Sequence, residues 1–162
     1  MSDATRNDEQ AHHGAVSGLG PVSHAIFRVA RLHKAYAGQL LREVGLYPNQ
    51  ELLLMHLWHN GPQRQVDLVR VLEADAPSIN RSVRRLEKAG LVSRAPSPTD
   101  GRVTIIDATA ASTALKEKVE GIWAELESLT VAGLDDAERD AVLGALALLE
   151  RNLSGLSQPP AP

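Results

Sequence analysis

Val22, Ile26, Val29, His33, Tyr36 and Leu40 recur at alternating steps of four and three, a single stripe along a helix expected from about Pro21 to Glu43. Gly45 ends that run. Pro48 suits the first turn of a second helix, to which Leu52, Leu53, Met55, Leu57 and Trp58 give a broad apolar face, and Asn60-Gly61-Pro62 stops it. A third, short helix is expected over Gln65–Leu72, with Val66, Val69 and Leu72 facing inward. The interval Glu73–Ala76 leaves room only for a tight turn before a fourth helix opens at Pro77. Ile79, Val83 and Leu86 form the inward stripe of that helix, whereas Asn80, Arg81, Arg84, Arg85 and Lys88 lie around its polar side, and Gly90 closes it.

The pattern then changes period. Leu91–Arg94 and Val103–Ile106 read as strands around the turn-forming segment Pro96–Gly101, a hairpin with a polar tip. Thr109 is placed to cap a long fifth helix striped by Leu115, Val119, Ile122, Leu126 and Leu129. Asp135 opens a sixth, striped by Val142, Leu146, Leu149 and Leu153. The fold class expected is mostly α with a small β-hairpin wing: a winged helix-turn-helix plus a helical dimerisation region. Its boundaries are a tail at 1–18, a first dimerisation helix within 19–45, the winged region at 46–108, helices five and six within 109–155, and a second tail at 156–162. The seams on helices one, five and six are longer than a small winged module covers, so they are expected to close on each other or on a second subunit.

Composition narrows the chemistry. The chain has 162 residues and no Cys, which removes disulfides, thiolate metal sites and cysteine nucleophiles or redox switches. Its start lacks the basic residues and apolar run of a secretory signal, and Ala141–Leu149 falls short of the roughly 20 apolar residues that cross a bilayer. A soluble, cytoplasmic protein without a membrane partner is expected. Net charge is -3, unevenly spread: Gly61–Ile106 carries eight Lys or Arg against five acids, and the remainder nine against fifteen. A basic insert in an acidic body suggests a surface that faces a polyanion.

Two short helices joined by a tight turn, the second presenting Arg and Asn, form a helix-turn-helix whose second helix fits the major groove of duplex DNA. Arg pairs with guanine and Asn with adenine through two hydrogen bonds each, while Ser and Lys serve phosphates. Arg102, beside the hairpin tip, suits a narrow and strongly negative minor groove. From Gly45 to Thr109 the segments GLYPNQELLLMHLWHNGPQRQVDLVRVL, PSINRSVRRLEKAGLVSR and PSPTDGRVTIIDAT together resemble the MarR family of winged helix-turn-helix regulators. The combination carries the resemblance: the Asn80-Arg81 pair ahead of Leu86-Glu87, the LEKAGLV junction, and Asp100-x-Arg102 in the wing.

The resemblance implies a homodimer held by helices one, five and six on a pseudo-palindromic operator, most often a repressor released by a small-molecule effector, with no cofactor. It implies Ser78, Asn80, Arg81 and Arg84 as recognition-helix residues, Arg102 as the wing arginine and Asp100 as the residue orienting it. Arg85, Lys88 and Arg94 complete the basic set, although Arg85 or Arg94 can instead make internal ion pairs. Tyr47 replaces the usual capping Thr, Gly101 a common second wing Arg, and Ala108 and Ser112 a frequent Leu and Gly.

Arg28, His33 and Trp58 are the effector-pocket candidates, each also readable as packing or ion-pairing. His56 and His59, three apart, do not reach the roughly four ligands of a closed zinc site, and His12 and His13 fall in the tail. No metal site and no catalytic constellation is expected. The alternative is a winged-helix protein-interaction module without specific DNA binding.

Overall fold

The computed structural model describes residues 20–154, so the tails expected at 1–18 and 156–162 lie outside the described residues. Helix α1 runs over Pro21–Glu43 and α2 over Gln50–Asn60. Strand β1, Gln63–Arg64, leads directly into α3, Gln65–Val71, and the turn before α4, Ala76–Lys88, completes the helix-turn-helix. Strands β2, Val92–Pro96, and β3, Thr104–Ala108, form the hairpin. Three helices follow: α5 over Ala110–Thr113, α6 over Lys116–Thr130 and α7 over Asp136–Ser154. The chain divides into two compact units, Met1–Leu126 and Glu127–Pro162.

The first unit holds the core. Leu41, Leu46, Leu53, Leu54, Leu57, Leu68, Ile79, Val83, Leu86, Val92, Ile106 and Val119 form one buried cluster. Each such side chain contributes on the order of 1.5–3 kcal/mol by leaving water, enough together to fix the helix pair against the sheet. The period of α2 and α3 differs from expectation at two positions. Leu54 is buried while Leu52 is exposed, and Leu68 is buried while Val66 is exposed. In each case the apolar surplus gives two possible stripes, and the one that meets the rest of the core prevails.

Two further expectations are corrected. The hairpin is the larger part of a three-stranded antiparallel sheet in the order β1-β3-β2, with Gln63 opposite Ile106 and Arg64 opposite Ile105. The long fifth helix is broken. Thr109 does cap it, accepting the Ser112 amide at 3.2 Å, but the Leu115 amide turns back to the Ser112 carbonyl at 2.9 Å before Val119 resumes the α pattern on Leu115. One tight turn thus separates α5 from α6.

In the second unit α7 spans 19 residues and buries none of them, leaving Val142, Leu143, Leu146, Leu148 and Leu153 exposed. Helix α1 likewise exposes Val22, Ile26, Phe27, Val29 and Leu32, and buries only Gly38, Leu40 and Leu41 near its end. Among the described residues no helix is long and apolar enough to cross a membrane.

Candidate nucleic-acid interface

Helix α4 is built to present one polar face. Asp75 sits at its N-cap and accepts the Ser78 amide at 2.7 Å; hydrogen bonding from the Ser78 side chain, and then from its amide, holds the Asp75 carboxyl below the ordinary carboxylate range. Pro77 fills the first turn, where its missing N–H costs nothing. Ile79, Val83 and Leu86 then bury against the core, which turns Arg81, Arg84, Arg85 and Lys88 to solvent. Arg81 donates from Nη2 to Ser78 Oγ at 2.9 Å, so the first turn of the helix carries a preset guanidinium.

Asn80 is held from a different helix. Gln65, the first residue of α3, donates from Nε2 to Asn80 Oδ1 at 2.6 Å. The bond takes one acceptor position of Asn80 and leaves its Nδ2 donors pointing away from that contact. Sequence periodicity does not single out Gln65; the only signal is a polar residue opening a short helix directly after a strand.

The wing is braced at both ends. Below the tip, β2 and β3 pair from Val92 opposite Ala108 to Pro96 opposite Thr104. At the tip the Ser97 amide reaches the Val103 carbonyl at 2.8 Å. Asp100 Oδ1 accepts the Arg102 amide at 3.0 Å, which fixes the backbone under the exposed Arg102 side chain. Gln65, Val66, Ala76 and Arg102 line one open cleft between α3, the start of α4 and the wing.

Ser78, Asn80, Arg81, Arg84 and Lys88 therefore share one helix, with Arg102 and Asp100 on the adjoining wing. Arg85 and Arg94 are engaged elsewhere. The Arg85 guanidinium lies 5.1 Å from the centre of the Tyr47 ring, a cation–π distance, and Arg94 pairs with Glu87 at 3.7 Å. Tyr47 caps nothing with its side chain; its amide donates to Gln50 Oε1 at 3.0 Å, and α2 starts from Asn49 with a left-handed φ of 75°.

The effector candidates separate. His33 lines a cavity of about 220 Å³ between α1, the start of α2 and α6, together with Leu52, Ile122 and Trp123. Arg28 is exposed on α1 and is not among the lining residues. Trp58 donates from its indole nitrogen to Ser112 Oγ at 3.2 Å, and that hydroxyl donates to the Thr109 carbonyl at 2.9 Å. Trp58 thereby ties α2 to the start of α5, and Ser112, where a Gly is frequent, supplies the bridge.

Glu51 also lines the cavity and escaped notice in the sequence, since one acid ahead of three leucines looks like a solvated helix start. It is 6% exposed, and burial raises its pKa although the backbone amides of Glu51 and Asn49 pull the other way. Among the described residues no group of three or more His, Asp or Glu side chains is placed to hold a metal ion.

The model of the MarR family matches residues 46–104, the stretch that contains α2, the helix pair and most of the wing. The HTH-type transcriptional repressor NicR of Pseudomonas putida is 28% identical over 122 residues, 75% of this chain and 77% of NicR. The crystal structure of a probable transcriptional regulator from Pseudomonas aeruginosa superposes with a TM-score of 0.72 at 29% identity, covering 79% of this chain and 96% of that one. Bordetella bronchiseptica BpsR, whose DNA binding is regulated by 6-hydroxynicotinic acid, superposes with a TM-score of 0.73 at 25% identity, covering 80% and 98%. Residues 46–104 thus match the MarR family of winged-helix transcriptional regulators, and the chain is similar over about three quarters of its length to proteins named as transcriptional regulators.

Proposed function

We propose that the protein is a cytoplasmic homodimer that represses transcription by holding a pseudo-palindromic operator and releases it when a small molecule binds. The observation that carries the reading is the outward face of α4, where exposed Arg81, Arg84 and Lys88 line up with half-buried Ser78 and Asn80 while every apolar residue of the stripe is buried. In the complex, α4 of each subunit enters the major groove, the two sites lying about 34–36 Å apart along the duplex. Arg81 and Asn80 read base edges, Ser78, Arg84 and Lys88 meet phosphates, and Arg102 enters the flanking minor groove. Arg85 and Arg94 lie at the margin of this surface, where Arg85 over Tyr47 keeps its positive charge and Arg94 shares its charge with Glu87.

The dimer is supported by the uncovered apolar residues of α1 in one unit and of α7 in the other, two helix faces whose apolar stripes are left exposed. Repression and release by a ligand are supported by the naming of NicR as a repressor and by the regulation of BpsR by 6-hydroxynicotinic acid. A ligand acts by preferring the dimer state in which the recognition helices no longer match successive grooves.

Selection from randomised duplexes at two salt concentrations tests the reading. The expected result is a palindrome with half-sites one helical turn apart. Affinity is expected to fall by about three decades between roughly 50 and 200 mM salt if about six phosphates are neutralised. Binding without an enriched sequence, or none at all, rejects it in favour of a nonspecific binder or an interaction module.

A further inference from the structure

The cavity between α1, α2 and α6 has an unusual polar composition. Leu41, Leu52, Ile122, Trp123 and Leu126 supply an apolar lining, and the most buried polar side chain among its walls is Glu51. Its Oε2 is buried without any hydrogen-bond partner, a condition that ordinary protein interiors avoid because a desolvated acceptor loses its water and gains nothing in return. His33 is half-buried, and Lys34 and Asn49 are exposed at the rim. Among the described residues that line the cavity, the one buried polar atom left open is thus an acceptor on an acid.

We infer that this cavity binds a compact single-ring compound carrying an N–H donor, an amine or protonated ring nitrogen, which donates to Oε2 of Glu51 while its ring packs against Trp123 and Ile122. Size agrees: an apolar cavity of roughly 150 Å³ holds benzene, so about 220 Å³ accommodates one ring with a short substituent. Charge agrees as well. A cationic donor keeps the carboxylate ionised inside the protein, whereas an anionic ligand would place a second negative charge beside it. Lys34 alone would favour an anion, but its ammonium reaches solvent and is screened there, so the buried carboxyl decides. The upward shift of the Glu51 pKa is the same desolvation seen from the proton's side.

The inference depends on the proposed effector release only for its consequence at DNA, so binding is measured on the full chain without DNA. Calorimetric titration with benzylamine, anisole and benzoate compares one ring carrying a cationic donor, no donor and an anion. Benzylamine is expected to bind at least about tenfold more tightly than the other two. Glu51→Gln, which keeps the shape, should weaken benzylamine by about tenfold or more and leave anisole near its parent value. Glu51→Leu should abolish the preference for benzylamine altogether.

Circular dichroism melts of both variants serve as the folding control, with a Tm at or above that of the parent expected once a buried carboxylate oxygen without a partner is removed. The inference is overturned by the absence of benzylamine binding, by benzoate or anisole binding as tightly, or by a benzylamine affinity that both substitutions leave unchanged. Binding through Glu51 that leaves operator occupancy untouched supports the site and instead counts against effector release.

Discussion

Helices α4 and α7 are both amphipathic in sequence, yet they end in opposite situations. In α4 the stripe of Ile79, Val83 and Leu86 is at most 4% exposed, whereas α7 buries no residue and leaves Leu143 65% exposed. The difference shows what an apolar period does and does not specify. It states that a face needs cover; it does not state whose. The chain itself covers α4, through Leu68, Val92 and Ile106. For α7 and the first turns of α1, a second copy of the chain is the cover that the proposed dimer supplies.

The sharpest way to break this contrast is to charge the uncovered face. Leu143→Glu with Leu146→Glu should leave each subunit folded, convert the dimer to monomers at micromolar concentration in sedimentation velocity, and weaken operator binding by about two decades or more through lost bivalency. Leu86→Ala, on the covered face, should cost about 2–5 kcal/mol in denaturant unfolding. Leu143→Ala, measured at concentrations where the chain is monomeric, should stay within about 0.5 kcal/mol of the parent. A large Leu143 effect in the monomer would mean that α7 is covered by its own chain after all.

The contrast sharpens within the proposed DNA-reading face of α4. Arg81→Ala should cost about 1–3 kcal/mol of operator affinity and relax preference at one base position. Gln65→Leu should produce a smaller loss in affinity but a comparable relaxation, because it frees Asn80 without removing it; unchanged selectivity in a binding selection would show that Asn80 needs no such hold. Two carboxyls give the smallest effects, with opposite signs in pH. The folded pKa of Asp75 is lowered, so its stabilisation is present above the ordinary value of 3.8 and is lost as pH falls through the folded one. Asp75→Asn should therefore lower Tm near neutrality and converge with the parent in acid. Glu51 is raised, so its contribution is present below 4.5 and is lost as pH climbs through the folded value. Glu51→Gln should gain on the parent as pH rises, in the same thermal scans.

How far the sequence could be read follows from the range of the forces involved. The bounds of α1, the stripe of α4, the cap at Thr109 and the hairpin are local patterns, and the structure reproduces them closely. Strand β1 was invisible because two residues have no period; it exists only through its pairing with β3. The choice of Leu54 over Leu52 and of Leu68 over Val66 depends on which face meets the distant core. The basic face of α4 was legible residue by residue, as was an internal ion pair for Arg94, which Glu87 supplies, but not that Arg85 lies over Tyr47 or that Gln65 holds Asn80. Those contacts join positions far apart along the chain, as does the burial of Glu51.

The wing tip closes on itself above the strand ladder, through the Ser97–Val103 and Asp100–Arg102 bonds. Its residues beyond Pro96 and before Thr104 contribute no side chain to the buried cluster. The tip is therefore a separable cassette: under the proposed DNA contact, loops of other length or charge grafted between the same two strand ends would retune which flanking sequences are preferred while the buried cluster that positions α4 is left alone.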